Sequence, residues 1–107
     1  MKIENKTINL SSEGDNRLTV VVGNAQKYHA SFMKPSGEYV VGPIQNNPLG
    51  SNLQGKTIIL SVMVTDTNPN TNKTSLIVQI NGVEKDNIPS EAEQDNGQVL
   101  YSIKLKF

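Results

Sequence analysis

Two stretches of this chain combine residue types and spacing that could do chemistry. The first, Gly50-Ser51-Asn52-Leu53-Gln54-Gly55-Lys56-Thr57, fits the phosphate-binding pattern G-x-x-x-x-G-K-[ST]. In that device backbone N–H groups wrap the phosphates, the lysine neutralises charge and the hydroxyl holds magnesium. It works only where the loop opens a helix whose N-terminus faces the anion. Here the run Ile58 to Thr65 sets three β-branched residues, Ile58, Val62 and Val64, on one face, as a strand does, and Gly42 to Leu49 upstream holds two prolines and no strand run. The segment therefore reads as a glycine-rich loop entering a strand, with no nucleotide site and no cofactor expected.

The second stretch is Asp66-x-Asn68-x-Asn70-x-Asn72, whose alternating oxygen side chains resemble a calcium loop. It lacks the glycine at the sharp turn and a bidentate carboxylate downstream, and it carries one negative charge before Lys73. The expectation is a long turn, with weak calcium coordination or contact to sugar hydroxyls as the ligand-binding alternative, and no true metal site.

Catalytic groups are scarce. His29 is the only histidine, and its alternation with Tyr28 and Ala30 sends it towards solvent beside Lys27 and Ser31. No nucleophile-elbow pattern accompanies it. Glu91 and Glu93 fall in a polar segment where solvation accounts for them. A non-enzymatic role is expected, with a small hydrolase as the third reading. Three Tyr, two Phe and no Trp leave few stacking platforms for sugars or bases.

Composition narrows the partners further. Ten Lys plus Arg balance ten Asp plus Glu. No net field gathers nucleic acid or an anionic membrane, so neither partner is favoured. There is no cysteine, hence no disulfide framework or thiolate zinc site. No apolar run approaches the roughly 18 residues of a membrane span, so insertion is not expected. Met1 to Leu10 has no apolar h-region, and the compartment stays open.

The elements that must position these residues repeat with period two. Val99, Tyr101, Ile103, Leu105 and Phe107 share one face of a C-terminal strand. Ile58, Leu60, Val62 and Val64 share a face of a second, and Leu76, Val78 and Ile80 of a third. The turn-rich 66–73 connection suggests that the last two form a hairpin, with Val64 opposite Leu76 and Met63 opposite Ile77. Leu18 to Val22, Tyr28 to Phe32 and a short Tyr39 to Val41 run supply further strands, with Ile3 to Leu10 at an edge. Asn81-Gly82 and Asn96-Gly97 read as hairpin turns, and Asp86 to Asp95 between them as loop.

Six to eight short strands in 107 residues predict one all-β domain spanning residues 1–107. The expected architecture is a small antiparallel β-sandwich, Ig-like or jelly-roll-like, with a partly open β-barrel as second choice. On the faces expected to be wet, Ile59, Met63, Ile77 and Leu100 break the pattern and form a candidate interface, covered by another chain or by the Gly42 to Lys56 loop. The functional expectation is a binding or assembly module that engages a protein partner or its own copies. A lectin-like or calcium-assisted domain using the Asn-rich loop is the alternative.

Overall fold

The computed structural model describes residues 1–107. It contains nine strands and no helix: β1 (Lys2–Asn9), β2 (Arg17–Val22), β3 (Lys27–Met33), β4 (Tyr39–Val41), β5 (Asn47–Pro48), β6 (Thr57–Thr65), β7 (Lys73–Ile80), β8 (Val83–Glu91) and β9 (Gln98–Lys106). They form two sheets, β1-β9-β6-β3-β4 and β5-β2-β7-β8, packed as an open sandwich and not a closed barrel. One departure from an all-antiparallel arrangement is β1, which runs parallel to β9.

Period-two alternation decides which side chains enter the core. In β6, Ile58, Leu60, Val62 and Val64 are buried while Ile59, Ser61 and Met63 point outwards. In β9 the inward set is Val99, Tyr101, Ile103 and Leu105. Leu18 and Val20 of β2 and Leu76, Val78 and Ile80 of β7 supply the facing layer. Strands with one buried face tolerate no one-residue slip, because that would move every apolar side chain into water.

The β6–β7 pairing expected from the turn-rich connection does not form. β6 pairs with β3 and β9, and β7 with β2 and β8. The 66–72 segment crosses from one sheet to the other, so the apolar faces of β6 and β7 meet across the core rather than side by side. Two further expectations change. Of the Asp86 to Asp95 segment expected as loop, Asp86 to Glu91 belongs to the edge strand β8, and Pro89 is tolerated there because one side of an edge strand needs no ladder. Asn96-Gly97 turns between β8 and β9, which lie in different sheets, so it closes no hairpin. Asn81-Gly82 does close one: both residues have positive φ, 54° and 79°, as a two-residue type I′ turn between Ile80 and Val83 requires.

The sides of the sandwich are closed differently. On one side β1 meets β8, where the Ser90 hydroxyl donates to Glu4 at 3.0 Å and Lys6 approaches Asp86 at 3.7 Å. On the other, the Gly42 to Lys56 loop inserts Ile44, Leu49 and Leu53 into the core and contributes β5 to the edge of β2. Its apolar residues are used as core, and it leaves Ile59 on the outer face exposed.

Candidate functional site

The connection that crosses between the sheets brings together the largest set of convergent polar groups. Gln26, buried just before β3, holds it: its Oε1 accepts the Thr67 and Asn68 N–H groups at 2.7 and 3.0 Å, and its Nε2 donates to the Lys73 carbonyl at 3.2 Å. Asp66 is buried and accepts the Asn68 N–H, while Asn68 in turn accepts the Asn70 N–H through its side-chain oxygen. These are Asx turns, in which the side chain imitates a backbone acceptor. The Asn72 amide nitrogen, in the orientation that satisfies its neighbours, donates to Asp66 Oδ2 at 2.6 Å and Asp95 Oδ1 at 2.8 Å.

Of the four residues marked in the sequence, Asp66, Asn68 and Asn72 therefore meet, and Asn70 stays exposed at the tip. Asp95 joins them from the β8–β9 connection, tied by the Asp66 N–H donating to the Gly97 carbonyl. Gln26 and Asp95 are distant in sequence, and no local pattern marks either. A small open cavity lies against Asp66, Thr67, Asn68, Pro69, Asp95 and Asn96. Most of the loop's oxygens are engaged in holding the loop, and no group of three or more His, Cys, Asp or Glu residues comes together as metal ligands would.

The Gly50 to Thr57 segment has the strand context expected of it. The Gly55 N–H donates to the Phe107 carbonyl and the Phe107 N–H to the Lys56 carbonyl, so the segment continues the ladder with the chain's C-terminus. Thr57 starts β6, with no helix N-terminus at hand. His29 is exposed on β3, beside Met63 in the β3–β6 register.

The Tyr101 phenol titrates above its ordinary range. It is buried in the core, and its hydroxyl shares a 2.7 Å hydrogen bond with the Thr74 hydroxyl of the opposite sheet. Burial raises its pKa above 10.0; the Thr74 bond lowers it less, and the Glu4 charge adds a smaller upward push. The contact is a polar rivet between the layers.

The outer face of the five-stranded sheet differs from every other surface. One register row sets Ile3, Leu100, Met63 and His29 side by side across β1, β9, β6 and β3. The next row towards the other end is Asn5, Ser102, Ser61, Ser31 and Val41. Beyond it Thr7, Lys104 and Ile59 continue towards Met33 and Tyr39. Ile3, Met33, Tyr39, Val41 and Ile59 are 54%, 54%, 59%, 68% and 44% exposed, which makes five of the eight exposed large apolar residues of the molecule. The outward positions of this sheet carry Lys27, Lys104 and Lys106 and no Asp or Glu.

The candidate interface of the sequence is thereby divided. Ile59, Met63 and Leu100 lie on this face, Met63 directly beside Leu100. Ile77 does not: it sits on the outer face of the other sheet, between Val21 and Asn87. Ile3, Tyr39 and Val41 were not legible as part of this face because β1 and β4 are edge strands, β4 of three residues, and Met33 because it is the last residue of β3.

Fold and surface together define a helix-free β-sandwich with one apolar, lysine-bearing sheet face. A scan against protein-family models finds no match, and searches of curated proteins and of solved structures return none. No helix is long and apolar enough to cross a membrane.

Proposed function

We propose that this chain is a non-catalytic binding and assembly module that engages a protein surface through the outer face of its five-stranded sheet. The carrying observation is the concentration of exposed apolar side chains there: Ile3, Met33, Tyr39, Val41 and Ile59, with Met63 and Leu100 half-buried among them. Scattered single apolar residues are normal on a protein surface, whereas several gathered on one sheet face, here in two groups on either side of the row of small polar residues, mark a contact site.

A photo-reactive amino acid placed at Ser61, in the middle of the face, tests the reading in the native host. Crosslinked products are expected from Ser61 and not from Gln79, which points outward from the other sheet. Equal yields from both positions, or products from Gln79 alone, would refute a dedicated face.

A further inference from the structure

We infer that the partner of this face is the same face of a second copy of the chain, related by a two-fold axis lying along β6. The inference rests on the function proposed above and adds the identity of the occupant.

Size is the first support. Five strands about 4.8 Å apart, with β6 about 30 Å long and β4 much shorter, give a face on the order of 600 Å². A standard interface takes about 800 Å² from each partner, so this surface with its rim approaches what a specific dimer needs.

Register is the second. A two-fold axis along β6 lays β3 of one copy over β9 of the other, and β4 over β1. Met63, Ser61 and Ile59 then each face their own counterparts. Lys104 falls over Met33, whose aliphatic chain packs along the lysine stem, and Lys27 falls over Gln98. No lysine faces a lysine, although the face holds only cations. The central Ser31, Ser61 and Ser102 are small and let the sheets approach.

The cysteine-free chain makes the geometry directly testable. Single cysteines are introduced and treated with a bis-maleimide short enough to span the ~10 Å between packed sheets. Ser61→Cys should link to itself. Ser31→Cys alone and Ser102→Cys alone should not, whereas their mixture should, because β3 faces β9. Sedimentation of the wild type should show a concentration-dependent dimer, and Met63→Lys should weaken it at least tenfold, with Gln79→Lys as the unaffected control. A wild type that stays monomeric at high micromolar concentration overturns the inference. So does self-linking of Ser31→Cys with none at Ser61→Cys, or binding to anionic lipid vesicles in place of dimerisation. A host crosslink from Ser61 to a different protein would leave the proposed function standing and remove the second copy, which separates the two failures.

Discussion

Tyr101 and Thr74 tie the two layers together with one hydrogen bond in an otherwise apolar core. Removing one hydroxyl leaves the other buried without a partner, at a cost of about 1–3 kcal/mol. Tyr101→Phe should therefore lower the unfolding free energy by that amount, and the double change with Thr74→Val should cost less than the sum of the singles in denaturant titrations. The raised phenol pKa gives the bond a pH signature. Above pH 10.0 the unfolded chain releases the proton while the folded chain keeps it, so stability falls as pH climbs from there towards the folded value. That added slope should vanish in Tyr101→Phe. Gln26 is a second such residue. Its three hydrogen bonds hold the crossing connection, and Gln26→Ala should lower stability by about 1–3 kcal/mol, with amide exchange accelerating first at Thr67 and Asn68.

A strand as an element sorts neighbouring residues into opposite environments. Leu60 is wholly buried and Ile59, its neighbour on β6, lies on the outer face. Leu60→Ala should cost about 2–5 kcal/mol through lost burial and the cavity left behind. Ile59→Ala in dilute protein should cost under about 1 kcal/mol, as surface changes do. Equal effects in thermal melts would mean that the outer face is covered within the monomer. The loop entering β6 belongs to the same scale. Its glycines shape a turn into a strand, and part of its backbone is spent on the ladder to Phe107. Calorimetry with magnesium-ATP should show no saturable micromolar binding that Lys56→Ala removes.

For the molecule as a whole, strand order sets where stability resides. β9, β6 and β3 are flanked on both sides in one sheet, and β2 and β7 in the other, while β1, β4, β5 and β8 are edges. Buried ladder amides open only with global unfolding, whereas edges open locally. Native-state hydrogen exchange should accordingly be slowest in β6, β7 and β9 and fastest in β4 and β5. The seam between β1 and β8 rests on one hydrogen bond and one 3.7 Å ion pair, both partly in solvent, so β1 should exchange faster than β9 although the two are paired throughout.

Alternation alone determined much of this protein. It set the all-β class, the inward residues of β6, β7 and β9 and the outward position of His29, because a strand's faces follow from counting by two. Asn81-Gly82 was legible for an equally local reason, the low cost of positive φ at those residues. Sheet membership was not legible. Val64 and Leu76 enter the same core whether the connection between them doubles back as a hairpin or crosses the roughly 10 Å between layers, and 66–72 is long enough for either. For that reason the sequence grouped Ile77 with Ile59, Met63 and Leu100, and the folded chain separated it from them. The tertiary structure also decided which distant polar groups meet. Gln26 reaches the 66–72 connection, and Asp95 reaches Asn72, only once β3 and the β8–β9 connection are packed beside it. The apolar outer face arose in the same way: its rows run across strands, perpendicular to the chain, and exist only after β1, β9, β6, β3 and β4 have found their register.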